Sequence, residues 1–483
     1  MRGWIRLREV GGWLKVRVPC WVWGAAEGVV TDSRQRCERK LFVGLRGERY
    51  DGSAFYRTAL CKGAAGALVS SKAASLPCGF HKVLGRPVLA VENANAAFVR
   101  LAAAYLKTLH TTVVAITGSC GKTTTKEMLR AILAERRTVV APASHNNFVG
   151  VPLTILNTPP NTETLVLEFG TNHRGEIREL CGVAPPDVAV VTTVAPAHIG
   201  NFASLRSLWR EKTDIIRYAK PACVALVGQV PWLHQVPRPP KGSLVMVSRE
   251  KVFDKVVEGN GLLLVRGRVR ARLDVFGSHF GDCAALAVTA ATYLGIPPDE
   301  ALMRLDGFAP PPMRMQRLSV GSVLLVLDCY NANPASVTAA LRWLRTRPPR
   351  RFFVFAGMAE LGRHSLRLHR EVGRLATRCA DFIVGVGDAA APAVEASIKA
   401  GGRAQLVATH KEAADLLASS ASAGDTVLLK GSRLFMLEKV ATLLGRRLEG
   451  GANGELLRGS ARGVATLLGR RLEGGGCSGS CIA

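Results

Sequence analysis

The chain has 483 residues, which predicts about three domains, and its composition (48% hydrophobic, 21% charged) is that of a folded globular protein. It contains no apolar run of about 18 residues and no signal-peptide pattern at its N-terminus, so we expect a cytoplasmic protein without membrane insertion. The formal net charge of +27 favours anionic partners, but no recognition-helix, zinc-ligand or stacking-aromatic motif indicates specific nucleic-acid recognition.

Residues 1–110 have the pattern of a small α/β domain. Short apolar runs bounded by turn residues indicate strands at residues 41–45, 68–69 and 87–91. Alanine-rich stretches indicate helices over residues 59–67 and 96–106. We therefore predict that this segment folds as a domain of its own.

A second domain is predicted over residues 111–316, where strand and helix patterns alternate. Continuous valine and leucine runs between helices indicate a parallel sheet covered on both faces. These runs lie at residues 113–116, 138–140, 164–169, 188–194 and 224–227. An alanine-rich helix over residues 284–293 then precedes the proline-rich connector 309–312, which marks the end of this domain.

The third domain is predicted over residues 317–451 and repeats the alternation of strands and helices. Its strands are expected at residues 323–327, 352–355, 382–386 and 426–429. The predicted class is thus α/β, with a small N-terminal domain, a central phosphate-loop domain with a parallel sheet, and a C-terminal Rossmann-like domain. The sequence of residues 440–451 recurs identically at 464–475, and we expect the duplicated tail, 452–483, to be poorly ordered.

The most informative motif lies between the first strand of the central domain and the helix that follows it. Its glycines let backbone amides approach an oxyanion, and the helix N-terminus adds partial positive charge. Lys122 can reach the terminal phosphates of a nucleotide, and the Thr123 hydroxyl can ligate Mg²⁺. Ile116 stands where the common motif has its first glycine, so this is a shortened phosphate loop. The loop comprises Thr117, Gly118, Ser119, Cys120, Gly121, Lys122, Thr123 and Thr124.

Four further residues are candidates for the same chemistry. Glu168 ends a predicted parallel strand, where a carboxylate faces the ligand crevice and can hold Mg²⁺ together with Thr123. His198 follows the next strand and is either a metal or phosphate ligand or a structural histidine. Judged from its neighbours alone, Lys212 is an ordinary surface lysine. Arg314, just after the connector, is either a phosphate contact or a linker arginine.

These segments together resemble the Mur ligase family from about Thr31 to Val440. The phosphate loop matches the TG-x-x-GKTTT element of the family, and residues 146–152 resemble its asparagine-rich substrate loop. Residues 32–34, Asp-Ser-Arg, resemble the part that holds a UDP-sugar. In the third domain, residues 328–334 read DCYNANP, which resembles an element of the family member that adds D-alanyl-D-alanine.

The resemblance implies an ATP- and Mg²⁺-dependent ligase of peptidoglycan precursor synthesis, acting as a monomer. It would join D-alanyl-D-alanine to UDP-N-acetylmuramoyl-tripeptide through an acyl phosphate. Catalytic roles are implied for Lys122, Glu168, His198 and a carbamylated Lys212, the last three being metal ligands together with Thr123. The phosphate loop, Arg314 and Asp328 are the implied nucleotide contacts. The implied substrate contacts are Ser33, Arg34, Asn146, Asn147, Asn331 and Asn333.

Four positions depart from the family pattern, and two alternative functions stay open. Phe280 and Cys283 replace asparagines, which puts the adenine contacts in doubt, and Gly200 stands where a glutamate is common. An aspartate is also missing before the segment 359–362, Ala-Glu-Leu-Gly. The first alternative is another Mur-type ligase or a folylpolyglutamate synthase-like enzyme, against which the NANP and Asp-Ser-Arg segments argue. The second is a basic ATPase acting on nucleic acid.

Overall fold

The computed structural model of the chain describes residues 3–449 except 21, 23, 143, 144 and 260. The duplicated tail predicted over residues 452–483 lies outside these described residues. The chain forms two compact units. Among the described residues, the first unit contains those up to 194, 209–248 and 283–304, and the second contains 195–208, 249–282 and 305–449. The domain boundaries near residues 110 and 316 stay a prediction.

The first unit begins with a small sheet and the helices around it. The elements are β1 (Ile5–Arg6), α1 (Leu7–Leu14), β2 (Ala25–Ala26), β3 (Val29–Val30), β4 (Leu41–Val43), α2 (Tyr56–Cys61), β5 (Gly66–Ser70), α3 (Ser71–Ala74), β6 (Gly79–Val83), β7 (Arg86–Val91) and α4 (Ala94–Leu106). Five strands form a sheet in the order β3-β4-β5-β7-β6, in which β6 alone runs antiparallel to its neighbour. Val30, Phe42 and Val69 lie in its core.

The helix predicted over residues 59–67 is wrong in its second half. Helix α2 ends at Cys61, and Gly63 turns the chain with a φ of 85°. Gly66 then enters β5, where a Cβ atom would lie 2.8 Å from the carbonyl oxygen of Pro87 in β7. The small residues of this stretch therefore allow β5 and β7 to lie close together. Their alanine-rich composition had indicated a helix instead.

The next elements along the chain build the central sheet, which belongs to the first unit and carries the phosphate loop. The elements are β8 (Thr112–Thr117), α5 (Lys122–Ile132), β9 (Thr138–Val140), α6 (Gly150–Leu156), β10 (Thr164–Glu168), α7 (Glu176–Val183), β11 (Val188–Thr193), α8 (Leu205–Arg217), β12 (Val224–Gln229) and β13 (Ser243–Met246). The order is β13-β12-β11-β8-β10-β9 and every pair is parallel, as predicted. β8 lies between β10 and β11, so their carboxyl ends meet where ligands bind in such sheets.

A small antiparallel sheet and two helices follow, of which the sequence patterns predicted only the longer helix. The elements are α9 (Arg249–Val252), β14 (Lys255–Gly259), β15 (Gly261–Arg266), β16 (Val269–Leu273), α10 (His279–Tyr293) and α11 (Pro298–Met303). The strands pair in the order β14-β15-β16. Helix α10 begins five residues before its predicted start.

The second unit contains a third, mixed sheet. The elements are β17 (Gln316–Val320), β18 (Val323–Asp328), α12 (Pro334–Arg345), β19 (Arg351–Gly357), α13 (Ser365–Thr377), β20 (Phe382–Val386), α14 (Ala391–Lys399), β21 (Ala404–Val407), α15 (His410–Ser420), β22 (Thr426–Gly431) and α16 (Glu438–Glu449). The order is β17-β18-β22-β19-β20-β21, and only the edge strand β17 is antiparallel to its neighbour. The predicted α/β fold class is confirmed. No helix among the described residues is long and apolar enough to cross a membrane.

Replacing Leu429 by alanine tests the core of the third sheet. Leu429 lies in β22, between two other strands, and is fully buried. We expect Leu429→Ala to lower the free energy of unfolding by about 2–5 kcal/mol in urea titrations, because it removes buried methyl groups and leaves a cavity. Leu406 in the edge strand β21 is 41% exposed, so Leu406→Ala should cost only about 0.5 kcal/mol. An equal loss in the free energy of unfolding for the two variants would contradict the described strand order.

Candidate active site

The phosphate loop connects β8 to α5 and needs glycine at two positions. Gly118 and Gly121 have φ angles of 146° and 83°, a region that side chains with a Cβ atom rarely adopt. A Cβ atom on Gly118 would also lie only 2.0 Å from Thr192 Oγ1. Helix α5 begins at Lys122, so its N-terminal amides open onto the loop. This geometry suits a phosphate group.

Two threonines at the end of β11 brace the loop, and sequence reasoning missed both. The Ser119 amide donates to the Thr193 carbonyl oxygen at 2.8 Å, and the Cys120 amide donates to Thr193 Oγ1 at 3.2 Å. Thr192 Oγ1 donates to the Thr117 carbonyl oxygen at 3.2 Å. The sequence does contain a signal for them, because Thr192 and Thr193 are polar residues at the end of an otherwise apolar strand.

The structure places the Thr123 hydroxyl against the Glu168 carboxylate, next to Lys122. Lys122 Nζ donates to the carbonyl oxygen of Gly118 at 2.7 Å. Thr123 Oγ1 donates to Glu168 Oε2 at 3.0 Å, and both side chains are buried. Glu168 ends β10 and lies directly opposite Ile116 in β8. Strand register thus sets the carboxylate beside the phosphate loop.

Glu168 has two further polar neighbours. Asn146 Nδ2 donates to Glu168 Oε1 at 3.2 Å, so one predicted substrate residue contacts a predicted metal ligand. Lys126 Nζ lies 3.7 Å from Glu168 Oε2. Sequence reasoning overlooked Lys126, although its position one helical turn after Thr123 places both on one face of α5.

Lys212 is buried in α8, so the surface position suggested by its neighbours alone is wrong. Only 1% of the residue is exposed. Burial, with the nearby charge of Lys122, holds the pKa of the Lys212 amine well below its usual value, although Glu211 and Glu168 oppose the shift. Its surroundings therefore favour the neutral amine.

Glu211, the residue before Lys212, anchors α8 within the first unit. Its buried carboxylate accepts hydrogen bonds from the amides of Gly175 at 2.7 Å and Ile177 at 2.9 Å, and from Thr171 Oγ1 at 3.2 Å. These donors belong to the loop after β10 and the start of α7. The contact fixes the helix that carries Lys212 beside the strand that carries Glu168.

The other predicted binding residues of the first unit have local partners. The exposed Arg34 guanidinium donates to Asp32 Oδ2 at 2.7 Å, and this hydrogen bond lowers the pKa of Asp32. The Ser33 carbonyl oxygen accepts from Lys62 Nζ at 2.8 Å. Asn147 Oδ1 accepts from the Gly150 amide at 2.9 Å, at the start of α6. In these contacts Ser33, Arg34 and Asn147 bind to their own neighbourhoods rather than to Glu168.

Cys283, one of the departures from the family pattern, lies against the phosphate loop. Its thiol is 3.9 Å from the Gly121 carbonyl oxygen, and a Cβ atom on Gly121 would come within 3.0 Å of the sulfur. A larger residue at position 121 would therefore push on the loop from this side. Phe280, which also replaces an asparagine of the family pattern, is buried, and the centre of its ring lies 4.6 Å from that of His279.

His198 belongs to the second unit, where Glu360 Oε2 contacts its Nδ1 atom. Both residues have positive φ angles, 53° and 62°. The Gly200 amide donates to the Glu360 carbonyl oxygen at 3.0 Å, and a Cβ atom on Gly200 would lie 2.6 Å from the Gly362 nitrogen. This close approach explains glycine at position 200.

Arg314 and Asp328 also lie in the second unit. The Arg314 guanidinium lies over the Tyr330 ring, 4.3 Å from its centre. Asp328 ends β18, and its Oδ2 atom is 3.1 Å from Nζ of the buried Lys430. Lys430 also donates to the carbonyl oxygen of Asn331. One buried lysine thus holds the start of the NANP segment.

The two asparagines of that segment have structural contacts of their own. Asn333 caps α12: its Oδ1 atom accepts from the Ser336 amide at 3.0 Å, and Ser336 Oγ accepts from the Asn333 amide at 3.1 Å. Asn331 is exposed, and its Oδ1 atom accepts from the Ala332 amide at 2.8 Å. The cap fixes where the segment ends and the helix begins.

The donors around Glu168 fit Mg²⁺. Within the described ranges, no group of three or more histidine, cysteine, aspartate or glutamate side chains is arranged to hold a metal. Mg²⁺ needs no such group, because it is commonly bound by one or two carboxylates, phosphate oxygens and water. The Thr123 hydroxyl and Glu168 carboxylate, 3.0 Å apart, are hard oxygen donors of that kind.

Two family models match the chain. Residues 116–248 match the Mur ligase middle domain, and residues 313–433 match the Mur ligase, glutamate ligase domain. The first match contains the phosphate loop, Glu168, His198 and Lys212, and the second contains Arg314 and Asp328.

Whole-length relatives agree with these matches. The UDP-N-acetylmuramoyl-tripeptide–D-alanyl-D-alanine ligases of Bacillus subtilis and Escherichia coli are 32% and 30% identical, each over 86% of this chain and 92% and 93% of their own. Among solved structures, MurF from Acinetobacter baumannii has a TM-score of 0.79 at 26% identity and covers 92% of this chain and 99% of its own. MurF from Thermotoga maritima in complex with ADP has a TM-score of 0.75 at 26% identity, covering 88% and 98%. The chain belongs to the Mur ligase family.

Proposed function

We propose that this chain is the ATP-dependent ligase that joins D-alanyl-D-alanine to UDP-N-acetylmuramoyl-tripeptide in peptidoglycan precursor synthesis. The relatives that carry this name match most of the chain. The observation that carries the proposal is the contact of Thr123 with Glu168 beside a glycine-shaped loop at a helix N-terminus. It supplies phosphate and metal donors in one place.

The reaction makes an amide from a carboxylate, which ATP must first activate. An oxygen of the tripeptide carboxylate bonds to the γ-phosphorus of ATP, and ADP leaves. The amine of D-alanyl-D-alanine then bonds to the acyl carbon, inorganic phosphate leaves, and the nitrogen loses a proton. Both reactants of the first step are anions, so cationic groups and amide donors must offset their repulsion.

The residues of the first unit supply these groups. The loop amides and the α5 N-terminus hold phosphate oxygens, and Lys122 adds a full positive charge. Thr123 and Glu168 would hold Mg²⁺, which when bound draws negative charge from the phosphate oxygens. Contacts of Thr192 and Thr193 keep the loop in shape before the nucleotide arrives.

Carbamylation of Lys212 completes the proposed catalytic set. CO₂ reacts with a neutral amine: the nitrogen bonds to the carbon, one proton leaves, and an anionic carbamate remains. Burial beside Lys122 lowers the pKa of Lys212 and so favours the reactive amine. The carbamate would give oxygen ligands for a second Mg²⁺, with His198 as the remaining ligand that the family resemblance implies.

The remaining roles rest on the resemblance. We propose that Arg314 and Asp328 contact the nucleotide. Asn146, Asn147, Asn331 and Asn333 would contact the substrates, and Ser33 and Arg34 the UDP-sugar. We also propose that the enzyme acts as a monomer in the cytoplasm.

ATP hydrolysis in the presence of UDP-N-acetylmuramoyl-tripeptide tests the proposal directly. We expect phosphate release to depend on both the UDP-tripeptide and D-alanyl-D-alanine, with one amide formed for each ATP consumed. Amide product would be measured by mass spectrometry. Hydrolysis that responds to DNA or RNA but not to the UDP-tripeptide would overturn the proposal in favour of a nucleic-acid ATPase. Activity with a folate and glutamate instead would favour the folylpolyglutamate synthase-like alternative.

Replacing Lys122 by alanine should remove ligation without unfolding the chain. Lys122 supplies a positive charge beside the phosphate loop, where its Nζ atom donates to the carbonyl oxygen of Gly118. We expect kcat to fall by a factor of about 10³ or more, the scale at which removal of one stabilising donor acts. Lys241→Ala, at an exposed lysine of the same unit, is the control. A near-normal ligation rate for Lys122→Ala would refute the role.

Replacing Lys212 by alanine should inactivate the enzyme, with partial rescue by small carboxylates. Acetate or formate can occupy the space of the lost carbamate and restore an oxygen ligand. Mass spectrometry of the native wild-type protein should show an added carbamate on Lys212, and Lys220→Ala, at a half-exposed lysine, should behave as wild type. Full activity of wild type in CO₂-free buffer, with no added mass, would count against carbamylation.

A further inference from the structure

Lys126 is a buried cation of the first unit to which the reaction above gives no part. Its side chain is fully buried, on the face of α5 that also carries Thr123. A lysine removed from water is costly unless other groups compensate its charge. Its partners therefore indicate why it is there.

Its ammonium group joins three separate segments of the unit. Nζ lies 3.7 Å from Glu168 Oε2 at the end of β10 and 3.5 Å from Glu127 Oε1 on its own helix. It also donates to the carbonyl oxygen of Pro142 at 3.3 Å. Pro142 follows β9 by two residues.

The carboxylate of Glu168 is held from several directions. Oε2 faces both Lys126 and the Thr123 hydroxyl, whereas Oε1 accepts from the Asn146 amide. Thr123 and Asn146 are neutral donors, and Lys126 brings a full positive charge to a carboxylate that is itself buried. A charged partner both fixes the orientation of such a carboxylate and favours its ionised form.

We propose that Lys126 is a positioning residue: it holds the Glu168 carboxylate and Pro142 in the arrangement that the phosphate loop needs. The effect on the reaction rests on the proposed function, whereas the coupling of Lys126 to Glu168 does not. Residues that orient a metal-binding side chain commonly change metal affinity or activity about 10- to 100-fold when removed.

Arg130 provides a matched control on the same helix. It pairs with the same Glu127 at 2.7 Å and donates to the carbonyl oxygen of Val140 at 3.2 Å, so it too ties α5 to the chain after β9. Its side chain is 46% exposed, and its contacts do not include Glu168. A purely structural role for Lys126 would therefore resemble that of Arg130.

Kinetics of Lys126→Met and Arg130→Met distinguish the two roles. For Lys126→Met we expect kcat to fall about 10- to 100-fold and the Mg²⁺ concentration for half-maximal rate to rise, with the KM for D-alanyl-D-alanine within about twofold of wild type. Arg130→Met should keep kcat and the Mg²⁺ requirement within about twofold. Similar behaviour of both variants would overturn the proposal.

A double-mutant cycle in urea, with EDTA present, tests the coupling without activity or metal. Lys126→Met should lower the urea midpoint clearly in the wild-type background and much less in the Glu168→Gln background, because a neutral amide no longer needs a cation. Equal shifts in the two backgrounds would show that Lys126 does not act through Glu168. A wild type that fails to use D-alanyl-D-alanine would overturn the proposed function and leave this cycle interpretable.

Lys126→Arg is a second test variant, to be used if Lys126→Met does not fold. It keeps the charge but replaces a compact ammonium by a planar guanidinium, which cannot occupy the same position between Glu168 and Pro142. A folded Lys126→Arg variant should need more Mg²⁺ than wild type for half-maximal rate. Wild-type Mg²⁺ dependence and kcat would show that the position of this charge is unimportant, and would overturn the proposal.

Discussion

The parallel pairing of β8 with β10 on one side and β11 on the other is the constraint on which the site depends. It puts Glu168 opposite Ile116, just before the phosphate loop, and Val191 opposite Thr117. The two threonines that end β11 are then within hydrogen-bonding distance of the loop. A one-residue shift in the register of β10 or β11 against β8 would move the carboxylate or the threonines away from the loop, because side chains in strands alternate between faces.

Around this arrangement the first unit buries several charged side chains, each compensated in its own way. Glu211 is held by backbone amides and a hydroxyl, which leaves its charge to act on the adjacent Lys212. Glu168 has both neutral donors and Lys126. The pKa of Lys212 is instead lowered, which favours loss of its charge. Burying charges at these positions lowers the free energy of unfolding. Their presence therefore indicates a functional site rather than an ordinary hydrophobic core.

Sequence patterns predicted the central sheet well because its strands are continuous apolar runs, and the phosphate loop because its glycines and lysine have characteristic spacing. They failed where small residues serve two purposes, as at Gly66. They also failed at β14–β16, although residues 262–265, Leu-Leu-Leu-Val, form an apolar run in β15 that the sequence analysis did not assign to a strand. Composition gave no hint that Lys212 is buried; only the family resemblance marked it. The partners of Glu168 beyond Thr123 depend on contacts distant in sequence, such as that of Asn146, which local patterns do not encode.

The close approach of Gly200 to Gly362 in the second unit restricts which residues can stand at either position. With no side chain between them, the two backbones touch and share the hydrogen bond from Gly200 to Glu360. A side chain at position 200 or 362 would push the turn that carries His198 away from the loop that follows β19. Substitution of either glycine would therefore disturb the backbone on both sides of the contact, although neither glycine is itself a candidate ligand.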